Sequence, residues 1–241
     1  MRIFAAQANP MKQSIKIIAL SATILAAIGC GSASEEKTAE KETVVAEKPA
    51  EPAGDATKGA ALYATCATCH GQKAEGIQAM GAPALANQET YYLKQQLQNF
   101  RTNKRGTHEK DAFGAQMQPF AKMLDSDGIN DVVAYIKTMP AATIASTITD
   151  GKVENGKNYY NMICGACHGA GALGIEALFS PKLVGVHDWY LERQINNFRE
   201  GIRGTAEGDT HGAQMQQIAT SIPDDQTVKD VVAYINSLQA E

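Results

Sequence analysis

At 241 residues, with 44% hydrophobic, 20% charged and 6% aromatic side chains, the chain is globular in composition and has room for one or two domains. Its formal charge of −4 argues against a nucleic-acid binder, which presents a basic face. Five cysteines are too few for a disulfide scaffold of this length, so each asks for its own role.

Residues 1–30 read as an address. Arg2, Lys12 and Lys16 accompany a mostly apolar run from Ile15 to Ile28, no acid occurs before Glu35, and Gly29-Cys30-Gly31-Ser32 follows. That order describes a secretory signal, and Met11 would begin a complete one by itself. Ser21 and Thr23 interrupt a run already shorter than the ~20 residues of a spanning helix. Ala27-Ile28-Gly29-Cys30 resembles a bacterial lipobox, making Cys30 a candidate lipidation site behind a lipoprotein-type signal cut before it. A conventional cut near Ala33 is the other reading and would discard Cys30. Acyl chains on Cys30, at ~0.8 kcal/mol per buried methylene, would hold the protein at a membrane surface.

Residues 31–55 carry seven acids and three bases with little to bury, which predicts a disordered acidic tether. Its flexible-chain reach is roughly 25–30 Å. Without residues 1–29 the chain carries a net charge of −7.

From residue 56 onward the chain repeats itself. CATCHG at 66–71 returns as CGACHG at 164–169, and Pro83 as Pro181. YYLKQQLQNFR at 91–101 returns as WYLERQINNFR at 189–199, GAQM at 114–117 as GAQM at 212–215, and DVVAYI at 131–136 as DVVAYI at 230–235. Internal copies at a near-constant offset predict two homologous domains, 56–140 and 150–241, with a short joint between them. Each half reads as helical. Leu93, Leu97 and Phe100 form an i, i+4, i+7 stripe, repeated by Leu191, Ile195 and Phe198. Ile129, Val132, Val133 and Ile136 form another, matched by Val228, Val231, Val232 and Ile235. Asp188 and the Ser126–Asp127 pair are expected N-caps. Domains this small have a thin core, so something large and apolar is expected to fill each.

Cys66-x-x-Cys69-His70 and Cys164-x-x-Cys167-His168 have the attachment spacing of c-type haem. Two thiols one helical turn apart reach the two vinyl groups on one porphyrin edge, and the adjacent imidazole meets the iron. A structural zinc needs more ligands than either half offers, and a redox-active thiol pair wants a βαβ setting that is absent. Two haem c groups are therefore expected. Met117 and Met215, each 47 residues after its histidine in an identical GAQM, are the candidate second axial ligands. A thioether there raises the potential and closes the iron to other ligands. Met80, Met123, Met139 and Met162 read as packing residues. Pro83 and Pro181 are candidates to offer a backbone carbonyl to the other imidazole nitrogen. Arg101, Arg105, Arg199 and Arg203 read either as partners of haem propionates or as solvated helix-end charges. His108, His187 and His211 have no histidine at the equivalent position of the other half and read as surface residues.

CATCHG, GAQM, YYLKQQLQNFR and DVVAYI, each with its copy, resemble the di-haem cytochrome c4 family of tandem class I cytochrome c domains. The resemblance implies an all-α fold, periplasmic electron transfer, His/Met ligation at both irons and haem edges brought close together. The acidic tether and a lipid on Cys30 would be departures from it.

The expected function is a carrier of single electrons between a respiratory donor and a terminal reductase or oxidase, docking transiently on each. No catalytic constellation recurs in the two halves. The enzyme alternative, a di-haem peroxidase, needs halves that differ at the distal ligand, whereas both show GAQM. A docking subunit of a larger oxidase is a third reading. Residues 56–140 carry a net charge of +2 and residues 150–241 one of −5, so donor and acceptor docking on different halves is a further expectation.

Overall fold

The structure, a computed structural model, describes residues 53–240. The signal segment with Cys30 and most of the acidic tether lie outside the described residues. Among the described residues the fold is all-α, the only extended pairings being the isolated bridges Ile77–Ala82 and Ile175–Ser180. The first repeat forms α1 (Ala56–His70), α2 (Thr90–Arg101), α3 (Ala112–Lys122) and α4 (Ser126–Ile136). The second forms α5 (Val153–Tyr159), α6 (Gly165–His168), α7 (Asp188–Arg199), α8 (Thr210–Ala219) and α9 (Asp225–Ser237).

In each domain the first helix crosses the last at close range, α1 on α4 and α5 on α9. The crossing exists because glycine stands at it: a Cβ on Gly59 would lie 2.0 Å from the Asp131 carbonyl oxygen, and one on Gly156 1.8 Å from that of Asp230. The last helix also secures the entry to the first. Asp131 Oδ1 accepts from the Asp55 N–H at 2.7 Å, and Asp230 Oδ1 from the Lys152 N–H at 2.8 Å.

The apolar stripes read from the sequence form the cores. Leu93, Val132, Val133 and Ile136 bury beside Tyr63, and Leu191, Val228, Val231, Val232 and Ile235 beside Tyr160. Each such side chain contributes roughly 1.5–3 kcal/mol when fully buried. Tyr63 and Tyr160 do more than pack. Their hydroxyls donate to the carbonyls of Gly71 and Gly169, at 2.8 and 2.7 Å, fastening the residue after each histidine.

The halves differ in their first helices. Gly59 and Tyr63 precede Cys66 by seven and three residues, whereas Gly156 and Tyr160 precede Cys164 by eight and four. The additional residue is absorbed in a π-helical turn, Tyr160–Cys164, between α5 and α6. A π-turn is the usual way an α-helix takes up one inserted residue without losing its line.

Two expected caps fall differently. Asp125, one residue before the Ser126–Asp127 pair, caps α4 by accepting the Gly128 N–H at 2.8 Å, the reach an N-cap oxygen needs. Asp188 is the first residue of α7 rather than its cap, and it is fully buried. Its carboxylate accepts from Ile148 N–H at 2.8 Å, Thr147 Oγ1 at 2.8 Å and Ser146 Oγ at 3.2 Å, and also from the Thr147 N–H. It thereby fixes the interdomain connection, residues 140–152, which has no helix of its own. Asn87 holds the same connection from the first domain, exchanging bonds of 2.9 and 2.7 Å with Ala142 while donating to the Gly185 carbonyl at 2.8 Å.

Candidate haem pockets

Each domain has an open, mostly apolar cavity, of about 1310 Å³ in the first and about 1350 Å³ in the second. Cys66, Cys69 and His70 line the first together with Met117, and Cys164, Cys167 and His168 line the second together with Met215. The sequence places each methionine far from its histidine; α3 and α8 return it to the same cavity.

Both histidines are buried, and each is held from behind. His70 Nδ1 lies 2.8 Å from the Pro83 carbonyl and His168 Nδ1 2.9 Å from that of Pro181. Burial pushes both imidazoles below their ordinary pKa, against the opposing pull of the proline carbonyl. A neutral ring that donates through Nδ1 presents its Nε2 lone pair to the cavity, the state a metal requires. None of these four cysteines is in a disulfide. Burial raises Cys66 and carries Cys164 up to about 11, opposite to the depression that makes a redox-active thiolate.

The floor of each cavity carries a buried cation. Arg105 stacks 4.5 Å from the Phe100 ring centroid and Arg203 4.4 Å from that of Phe198. Arg105 and Arg203 each leave one buried Nε–H without a partner, as does Arg193. Buried donors are almost always satisfied, so unused guanidinium N–H groups beside a large apolar space are a place for an acidic group. Apolar walls, paired thiols, a braced imidazole, a thioether and leftover cationic donors together fit a porphyrin bearing propionates.

Arg101 and Arg199 line neither cavity. Arg101 donates to Gln98 at 3.4 Å, whereas Arg199 pairs with Asp225 and is mostly buried, one Nη having no partner, so it is neither a cavity residue nor a solvated charge. Met139 packs on the first core and Met80 lines the rim of the first cavity. Met123, which caps the end of α3, and Met162, in the turn between α5 and α6, both expected to pack, are 67% and 71% exposed. Two of the three histidines read as surface residues are in the domain contact instead. His187 Nδ1 accepts the Ala84 N–H at 3.2 Å, and His211 bonds Gln95 at 2.9 Å while stacking on Phe179. Their partners come from the other repeat or from a distant turn, which one-domain periodicity does not show. His108 stays at the surface and accepts from the Lys110 N–H at 3.2 Å.

The two cavities share a wall made by α2 and α7. Tyr92, Gln96, Tyr190 and Gln194 line both. Sequence reasoning passed over these four, although identity between the copies at polar positions within an apolar stripe was a readable signal.

The cytochrome c family profile matches residues 56–140 and 153–239. A cytochrome c4 of Pseudomonas aeruginosa is 31% identical over 196 residues, covering 79% of this chain and 90% of the relative. A thiosulfate dehydrogenase electron acceptor of Stutzerimonas stutzeri is 33% identical over 181 residues, covering 70% and 76%. The crystal structure of reduced cytochrome c4 from Pseudomonas stutzeri superposes with a TM-score of 0.61 at 27% identity, over 76% of this chain and 98% of that one. With the cytochrome c domain present twice on an all-α scaffold, the chain is a di-haem electron carrier with two covalently bound haem c groups, and it belongs to the cytochrome c4 family.

Proposed function

We propose that this chain is a periplasmic cytochrome that takes single electrons from a respiratory dehydrogenase and delivers them to a terminal reductase or oxidase. When bound, each haem would supply the one-electron redox chemistry. Cys66, Cys69, Cys164 and Cys167 form the thioether links. His70 and Met117 would hold one iron, and His168 and Met215 the other. Pro83 and Pro181 orient the imidazoles, while Arg105 and Arg203 receive propionates. The observation that supports this reading is that each cavity is lined by both a braced histidine and a methionine, the pair that would hold an iron from its two faces.

The relative named as an electron acceptor of thiosulfate dehydrogenase makes a dehydrogenase of that kind the first donor to test. Charge supports separate docking faces: the first domain is +2 and the second −5, and on-rates to oppositely charged partners fall with salt. A lipid on Cys30 would keep the carrier at the membrane surface, within reach of both partners. Among the described residues no helix is long and apolar enough to cross a membrane.

Optical redox titration of the purified protein tests the assignment. Two haems per chain are expected, with the red thioether–ferric absorption band lost in Met117→Ala plus Met215→Ala. Survival of that band in the double variant, or peroxide consumption with turnover, overturns the carrier reading. Intact mass of the mature protein decides the anchor: acyl chains on Cys30 are expected, and a free N-terminus near Ser34 refutes them.

A further inference from the structure

The repeats place equivalent residues on opposite sides of the domain contact, yet one equivalent pair differs in charge. Arg193 of α7 corresponds to Gln95 of α2. Arg193 reaches out of its own domain into the first cavity, donating to the Gly81 carbonyl at 2.6 Å. Its guanidinium lies 4.3 Å from the Phe113 ring centroid, and Trp189 and Tyr190 flank it at 5.2 and 5.4 Å. Gln95 makes the reciprocal reach into the second cavity, where it bonds His211, itself stacked on Phe179; these two are the counterparts of Phe113 and Gly81. A fixed cation faces one cavity, and a neutral amide faces the other.

We propose that Arg193, a side chain of the second domain, selectively raises the reduction potential of the haem held by the first. The inference rests on the haem reading above. A cation held in a partly desolvated wall favours the less positive, reduced state of the iron, and low local dielectric strengthens the effect. The other charged groups lining the cavities largely match, apart from His211, which stands in the second where the first has Phe113. Arg105 has its twin in Arg203, and Asp111, which faces Arg193, has its twin in Asp209. Lys182, on the rim of the second cavity, meets the first domain through its carbonyl, which accepts from Gln88 at 3.0 Å. Its ammonium makes no hydrogen bond or ion pair among the described residues, so it is not fixed as Arg193 is. Four aromatic and backbone contacts hold the guanidinium in place, which makes the cation a permanent part of a cavity that belongs to the other domain.

The test is a redox titration of holoprotein with the two haems told apart by their hyperfine-shifted proton resonances, assigned with Met117→Ala. Arg193→Gln is expected to shift the first-domain midpoint downward and leave the second unmoved, while Arg193→Lys keeps most of the native value. Because Arg193→Gln also removes packing, a gain variant accompanies it. Gln95→Arg with His211→Phe rebuilds the arrangement over the second cavity and is expected to shift that midpoint upward, which loosened packing does not do. Two haems per chain with unmoved midpoints in both variants, or equal shifts of both haems, overturn this inference alone. A wild-type protein lacking two haems overturns the haem reading and this inference with it.

Discussion

Arg105 and Tyr190 belong to different domains, and the Arg105 Nη2 donates to the Tyr190 hydroxyl oxygen at 2.8 Å. The mirror contact joins Arg203 to Tyr92 at 2.9 Å. Between them, the Gln96 and Gln194 side-chain oxygens each accept from both guanidiniums, at 2.8–2.9 Å. Burial alone would raise the Tyr190 phenol, but the surrounding guanidiniums, Arg105 foremost, pull it below its ordinary value. The domains are thus joined by a largely buried polar seam, in which every unpaired group is costly.

Removing the Arg105 guanidinium strands the Tyr190 hydroxyl and leaves the Gln96 and Gln194 oxygens with Arg203 alone. Arg105→Met is expected to cost about 2–4 kcal/mol, since each orphaned buried polar group carries a penalty of ~1–3 kcal/mol. Denaturant titration of the holoprotein reads the change, and a loss below about 1 kcal/mol would contradict the seam's role.

Asp188 ties the connection between domains to α7, and its acidity follows. Burial would raise its pKa, but the N–H groups of Ile148 and Thr147 outweigh burial and hold the carboxyl below the usual range. The stabilisation is therefore complete above the unfolded value of ~3.9 and is lost as pH falls through the lower folded value. Asp188→Asn points an amide donor at other donors and is expected to cost about 2–4 kcal/mol at neutral pH. Stability against pH, followed from 7 down to about 2, should show a shallower acid limb in the variant.

The glycine crossings give a sharper test. With Cβ positions at 2.0 and 1.8 Å from backbone oxygens, Gly59→Ala and Gly156→Ala must push the helices apart. Each is expected to destabilise by about 2–4 kcal/mol, outweighing the helix-propensity gain of ~1 kcal/mol. Thermal unfolding of both variants checks this, and a raised Tm in either would refute the close crossing.

Tyr63 and Tyr160 are nearly or wholly buried, so losing a hydroxyl leaves the Gly71 or Gly169 carbonyl with only the longer bond from the Ala74 or Ala172 N–H, at 3.2 and 3.1 Å. Tyr63→Phe and Tyr160→Phe are each expected to cost about 1–2 kcal/mol. Because the bond fixes the residue after the ligand histidine, the variants should also show altered haem absorption near the red thioether band.

Most of the scaffold was legible in the residues. The stripes through Leu93 and Leu191 gave the helices their buried faces, and the Cys–His and GAQM copies mark what lines each cavity. Contacts between the copies were not legible, because a repeat shows which positions are equivalent but not which of them touch. His187 and His211 looked like surface residues only because their partners lie across the seam or on a remote turn. Asp188 looked like a cap because aspartate before a helix usually is one. Here the strands of connection it must satisfy lie forty residues earlier, beyond any local pattern. The π-turn was visible only as a change of spacing between Tyr160 and Cys164.

That turn lets two halves of unequal count keep equal anchor points. An additional residue in a regular helix would rotate everything beyond it by ~100° and advance it by 1.5 Å, sending Cys164 and His168 off the cavity or lifting Gly156 from Asp230. Taking up the slack inside one widened coil spares both ends. The segment between Tyr160 and Cys164 therefore acts as a length adjuster, the one stretch of that helix where the chain can change its residue tally without disturbing either fixture.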